Sequence, residues 1–254
     1  MALDLATSFR YPLNDPDAKK KLALGGACFF PGILLLAIPF VVLGGYGISA
    51  LRKVIKGEED ELPEWELIAD HFRFGLMALI IFIGYYAIPF LITVFTIGGS
   101  LISLLGTRAA DGSSSVGIWF ILGSILAGLV GLAIYFILPM AILNYATTDE
   151  LGSGFAVGNI FEKITSNLQP YAVVVLVNMA IGTVCSIPLN ILSNLPLIGI
   201  LGLFFGGVLC TYGMLVQAHI TGTFYRETFG AHVGASTNTT EGTGLEAERW
   251  KRDD

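Results

Sequence analysis

Charge is what this chain has least of. Asp, Glu, Lys and Arg together make up 13% of its 254 residues, about half the share usual in a soluble domain. Hydrophobic types make up 54%, so a water-solvated domain is excluded and the solvent is lipid. Cysteine and histidine are also scarce, at three residues each. Cys28, Cys185 and Cys210 lie in apolar runs without CxxC spacing or a neighbouring His, which excludes a recognisable disulfide framework or zinc site and leaves small buried hydrophobes. His71, His219 and His232 fall in separate segments, and although Asp70 precedes His71, adjacent helical residues point in different directions. No nucleophile accompanies them, so the residues name no catalytic, cofactor or metal site and the expectation is a protein that is not an enzyme. The net charge of −6 comes largely from Glu58, Glu59, Asp60, Glu61, Glu64 and Glu66 in one loop and from the tail, which argues against a nucleic-acid partner.

What is present is apolar length. A hydrocarbon core of roughly 30 Å takes about 20 helical residues to cross, and the runs 22–51, 74–105, 116–143, 171–192 and 195–225 all reach that. Their lengths fit helices rather than barrel strands. A polar leader without a cleavage pattern precedes the first run, so that run is expected to stay in the mature protein. The basic residues fall into groups beside the runs: Arg10 with Lys19, Lys20 and Lys21; Arg52, Lys53, Lys56 and Arg73; Lys163; and Arg226, Arg249, Lys251 and Arg252. Arg108 stands apart. Five simple spans would set the first two groups on opposite sides of the membrane, against the positive-inside rule. If 22–51 instead enters and leaves on one side, broken at Pro31, Gly32 or Pro39, all four groups share a face. A single kinked crossing stays open, but the hairpin is the favoured reading, with both termini cytoplasmic.

The expected architecture is therefore all-α and integral to the membrane. A cytoplasmic segment 1–21 precedes a membrane domain 22–225, built from a re-entrant or short helical hairpin and four transmembrane helices in two tandem pairs. A disordered cytoplasmic tail, 226–254, follows. Asp15-Pro16-Asp17 reads as a helix start, with Asp15 as N-cap and Pro16 at the first helical position. Pro63 reads as opening a short interfacial helix with Trp65, Ile68 and Phe72 on its apolar face. A second such helix is expected where Ile160, Phe161 and Ile164 recur with Val157 and Leu168 at helical spacing. Together with the steps Ile88-Pro89 and Ile187-Pro188, these helices suggest a parallel internal repeat. Hydrophobic hairpins that resemble each other by composition alone would give the same impression.

Several stretches, Ser8-Phe9-Arg10-Tyr11-Pro12, the Lys-rich entry to Gly25-Gly26, Gly45-Tyr46 before Leu51-Arg52-Lys53-Val54, and Gly57-Glu58-Glu59-Asp60-Glu61-Leu62-Pro63-Glu64-Trp65 ending at Phe74-Gly75-Leu76, resemble the DUF4013 family of bacterial and archaeal membrane proteins. The resemblance is specific over about the first third of the chain; beyond Gly75 it rests on hydrophobicity and the second interfacial helix. It implies a multi-pass protein of a prokaryotic cytoplasmic membrane and transfers no catalytic or ligand residue.

Three features bear on function. Gly44-Gly45-Tyr46-Gly47 contains the Gly-Tyr-Gly of potassium filters, but a filter needs a preceding pore helix and carbonyls facing an axis, and here the motif runs straight into Ile48-Ser49-Ala50-Leu51-Arg52, a helix leaving the membrane. Small residues recur at four-residue intervals as Gly123, Ala127 and Gly131, and as Gly202, Gly206 and Cys210, forming seams for helix packing within the chain or against another. Polar groups in the runs are few: Asn178 near the middle of its run, with Asn144, Asn190, Gln217 and His219 toward run ends. Asn178 is either a polar site or one interhelical hydrogen bond. The expected role is a non-catalytic accessory, scaffold or assembly subunit whose partners are the bilayer and other membrane-protein subunits or itself, with no cofactor. The alternative is a carrier for a neutral or lipidic substrate.

Overall fold

The computed structural model describes residues 4–29, 38–106, 113–193 and 199–230. Among these residues there are helices and no strands. The order is α1 (Leu5–Asn14), α2 (Ala18–Ala27), α3 (Ile38–Lys56), α4 (Ile68–Gly106), α5 (Ser113–Thr148), a 3-10 turn (Leu151–Phe155), α6 (Val157–Ser166), α7 (Leu168–Ser193), α8 (Gly199–Tyr225) and a π-helical turn (Arg226–Gly230). Five helices, α3, α4, α5, α7 and α8, are long and apolar enough to cross a membrane.

The ends of these helices follow from local chemistry. Asp4 caps α1, its Oδ1 accepting from the Thr7 N–H at 3.1 Å. Lys53 and Lys56 occupy the last turn of α3, where cations complement the helix dipole. Gly57 then takes a positive φ of 81°, the Glu58 N–H donates to the Lys53 carbonyl and the Gly57 N–H to that of Val54. That pair of bonds is the Schellman closure that glycine permits. At the end of α5 the left-handed position is filled by Asp149, with φ 60°. Pro39 sits in the first turn of α3, where no intrahelical N–H bond is lost.

α8 organises the bundle: α1, α2, α3 and α7 all pack on it, while α4 packs against α3 and α5. Glycines set the closest approaches. A Cβ on Gly45 would overlap the His71 carbonyl oxygen, and one on Gly75 would overlap that of Val41, so α3 and α4 touch backbone to backbone. α2 reaches α8 in the same way, with Gly26 against Val208 and the Phe204 carbonyl, and Gly207 against Phe29.

Several expectations change against these coordinates. Run 22–51 is divided between α2 and α3, and the break expected at Pro31 or Gly32 lies outside the described residues. Asp15 and Pro16 form the corner between α1 and α2, and the helix starts two residues later than expected, at Ala18; Asp15 Oδ1 does accept from the Asp17 N–H as an N-cap would, while its Oδ2 enters a buried ion pair with Lys21. Pro63 opens no separate helix. Ile68 begins α4 itself, which runs on without interruption to Gly106, since nothing between Asp70 and Gly75 stops it. The first unit of the suggested repeat therefore lacks its own introductory helix, whereas α6 stands separately before α7. Both Ile-Pro steps lie inside helices, α4 and α7, but so does Leu138-Pro139 in α5, so the step does not distinguish the two units. The tail beyond Gly230, with His232, lies outside the described residues.

Candidate functional site

The charged residues that the sequence scatters are gathered at one end of the bundle. In the first cluster Lys21 is buried and its Nζ donates to Asp15 Oδ2 at 2.9 Å, Glu64 Oε1 at 2.6 Å and the Leu62 carbonyl at 3.1 Å. Asp15 also accepts from the N–H groups of Leu62 and Asp17, and the Trp65 indole donates to the Lys21 carbonyl. Burial alone would raise the Asp15 pKa, but the bonds from Lys21, Leu62 and Asp17 outweigh it and hold the carboxyl below its usual range. Burial likewise opposes the Lys21 charge, and Glu64 and Asp15 overcome it, raising the ammonium pKa. The α1–α2 corner is thereby bolted to the loop between α3 and α4.

Two further clusters complete this end. Arg52 and Arg73 converge on Asp149 at 2.8 and 2.7 Å. The Arg52 hydrogen bond comes first among the causes that keep the Asp149 carboxyl acidic, and Arg52 also lies 4.1 Å over the Phe74 ring. Glu59 receives Arg226 and His219, and His219 Nδ1 lies 3.0 Å from Ser8 Oγ. Lys163 on α6 donates to Asn144 Oδ1 at 2.7 Å, and burial lowers its pKa.

The interior polar site lies between α7 and α8. Asn178 Nδ2 donates to Thr221 Oγ1 at 2.9 Å, and Gln217 Nε2 donates to the Asn178 backbone carbonyl at 2.8 Å. Asn178 is 8% exposed, and its Oδ1 is buried with no hydrogen-bond partner among the described residues. It lines a cavity of about 270 Å³.

The structure disperses the remaining candidates. Gly123 packs on Thr96 of α4 and Gly206 on Leu189 of α7, so both are used within the chain, whereas a Cβ added at Gly131 would meet nothing within 4 Å among the described residues. Ala127 is half-buried and Gly202 buried. Trp65 stacks on Tyr46, ring centroids 4.4 Å apart, and so braces the core, while Ile68 and Phe72 are exposed on the first turns of α4. On α6, Ile160 and Ile164 are buried and Phe161 is exposed. Gly44, Gly45, Tyr46 and Gly47 are all helical, so their carbonyls run along α3 rather than toward an axis. The Asp15–Lys21–Glu64 cluster and the Gly45–Gly75 crossing were both missed by sequence reasoning. The cluster joins residues more than forty positions apart, and the crossing pairs single glycines on two helices, so neither leaves a local period.

No curated protein and no solved structure matches the chain. The family model described as "Protein of unknown function (DUF4013)" matches residues 31–194. The match extends well past Gly75 and leaves out Ser8 to Pro12 and Gly25-Gly26.

Proposed function

Because the chain belongs to the DUF4013 family, whose description assigns no activity, we propose from its geometry that it is a non-catalytic accessory, scaffold or assembly subunit of a membrane complex, with α4 and α5 as its docking arm. One observation carries this reading. In an apolar window of 18 residues in each span, only 11% and 6% of residues are buried in α4 and α5, against 28%, 39% and 44% in α7, α8 and α3. Exposed leucines and phenylalanines alone would mean little, because lipid tails are as apolar as they are. Open glycines mean more: a Cβ added at Gly98, Gly99, Gly128 or Gly131 on these two helices would meet nothing within 4 Å among the described residues, and such positions let a helix of another chain approach to backbone distance.

In this reading α2 and α3 form the re-entrant hairpin. Lys21 near the start of α2 bonds Glu64 and Lys53 near the end of α3 bonds the Glu61 carbonyl, so both limbs meet one loop. α2 rises only roughly 15 Å, half a hydrocarbon core. α4 with α5 and α7 with α8 are the two full pairs, and α6 is an amphipathic helix lying in the lipid interface on the faces of Phe161 and Val157. The end that gathers the basic residues is the cytoplasmic one of a prokaryotic membrane.

The test is purification from native membranes in gentle detergent, followed by a native gel with mass spectrometry of co-migrating bands. Stoichiometric membrane subunits are expected with the unaltered chain and lost with Gly98→Leu/Gly99→Leu, while the variant monomer stays intact. Migration alone or as a homo-oligomer would defeat the accessory reading in favour of a carrier for a neutral or lipidic substrate.

A further inference from the structure

A recess of about 300 Å³ lies between α2 and the loop that leads into α4, with Lys21 and Glu64 in its wall. The three donors of the Lys21 ammonium are already occupied, by Asp15, Glu64 and the Leu62 carbonyl. The remaining charges of the wall are idle. Asp17, Lys20 and Glu66 are exposed, and their side chains make no hydrogen bond or ion pair among the described residues; Asp17 leaves even its N-cap position on α2 unused. Lys20 therefore shares one recess with three carboxylates and pairs with none of them. Charges of both signs line a common space and are held apart across it. Along both walls the charged residues come first and apolar ones follow. Leu24 stands one turn beyond Lys20 on α2, and Ile68 comes two residues after Glu66 at the head of α4, a helix long enough to cross the membrane. Leu24 and Ile68 are 41% and 56% exposed.

We infer that this recess binds the headgroup of a zwitterionic phospholipid with a primary ammonium, the phosphoethanolamine class. The phosphate lies at Lys20, the ammonium lies among Asp17, Glu64 and Glu66, and the acyl chains pass over Leu24 and Ile68 into the bilayer. A ligand that carries both signs on one short chain is what idle charges of both signs select. With two cations and three carboxylates the wall has a surplus of one negative charge, so an anionic headgroup is disfavoured. Choline is disfavoured too, because it donates no hydrogen bond and is recognised by aromatic cages. Trp65 is the only aromatic ring lining the recess among the described residues, and Tyr46 stacks on it at 4.4 Å. A primary ammonium has three donors, and its bonds to carboxylates are charge-assisted. The site rests on the membrane reading of the chain and not on docking by α4 and α5, so the isolated monomer is enough to test it.

The test uses the full chain, delipidated in detergent and read by native mass spectrometry against equal amounts of phosphatidylethanolamine, phosphatidylcholine and phosphatidylglycerol with identical acyl chains. The ethanolamine lipid is expected to be retained about tenfold over each of the others, the factor that one hydrogen bond to a charged group supplies. Lys20→Gln should lower retention of both zwitterionic lipids by a similar factor. Glu66→Lys turns the surplus of the wall positive and should move the preference to phosphatidylglycerol. Both positions are exposed, so the fold is expected to survive either change. Soluble glycerophosphoethanolamine at the concentration of the lipid should displace none of it, because it lacks the chains that Leu24 and Ile68 receive. Equal retention of the three lipids, retention that either substitution leaves unchanged, or full displacement by the soluble headgroup would each overturn the proposal.

Discussion

At the scale of single residues, Lys21 and Asp15 are the pair on which most depends. Their side chains are 5% and 2% exposed, and replacing Lys21 leaves the Asp15 charge buried without a counter-ion, a loss of about 3–5 kcal/mol. Lys21→Met is therefore expected to lower the thermal midpoint in detergent sharply, while the double variant Lys21→Met/Asp15→Leu recovers most of the loss. A single variant as stable as the parent would mean that the pair holds nothing. The pH dependence has a definite sign. Asp15 is held below its usual carboxylate range, so its contribution is present above the unfolded value near 3.8 and is lost as pH falls through the depressed folded value. Lys21 is raised, so its contribution is complete below the unfolded value near 10.5 and is lost as pH rises through the elevated one. Proteolysis at Lys19 and Lys20 should stay flat between about pH 5 and 9 and increase at both extremes, with Asp15→Asn removing the acid limb. The grouping of basic residues beside apolar runs was legible in the sequence, because burying charge in lipid is prohibitive at any position. The pairing was not, because Lys21 and Glu64 meet only once α2 and the α3–α4 loop have folded together.

At the scale of helices, the glycines separate into two kinds that sequence spacing cannot tell apart. Gly45 and Gly75 hold α3 and α4 in backbone contact, where the atoms a Cβ would strike are the carbonyls of His71 and Val41 and cannot rotate away. Gly45→Ala is expected to destabilise by at least the 1–3 kcal/mol of ordinary overpacking and to show as a lowered midpoint or aggregation on gel filtration. Gly128→Ala, at an open position, should be neutral or gain up to about 1 kcal/mol of helix propensity. Equal effects at the two sites would remove the distinction. The period Gly123, Ala127, Gly131 was visible as a seam, yet of its two glycines Gly123 meets a neighbouring helix closely and Gly131 does not among the described residues. A four-residue spacing defines one face of a helix without saying how far along that face the contact extends. Helix existence and approximate extent were readable from apolar length. The merging of residues 68–73 into α4 was not, because an apolar face on a short segment looks the same whether the helix stops or continues.

At the scale of the whole molecule, the described basic residues and their partners lie at one end of the bundle: Lys21 with Glu64, Arg52 and Arg73 with Asp149, Arg226 with Glu59, and Lys163 with Asn144. α3, α5 and α8 finish there, and α4 and α7 begin there. α2 also begins there, which makes the α2–α3 segment the deciding element for topology. If it returns to the side it left, Arg10, Lys19, Lys20 and Lys21 share a face with Arg52, Lys53 and Lys56, and the positive-inside rule holds throughout with only Arg108 opposed. If it crosses, the first of these groups is stranded on the far side, and Lys21 could not reach Glu64 without unfolding the corner. A reporter active only outside the cytoplasm should therefore be silent ahead of Met1 and after Asp254 and active when inserted between residues 107 and 112. Activity at both the N-terminal and the 107–112 positions would make 22–51 a single crossing and would require the ion pair of Lys21 with Glu64 to be absent in the membrane. Cysteine crosslinking between positions 21 and 64 reads that contact directly and is expected to succeed in the same preparations in which the N-terminal reporter is silent.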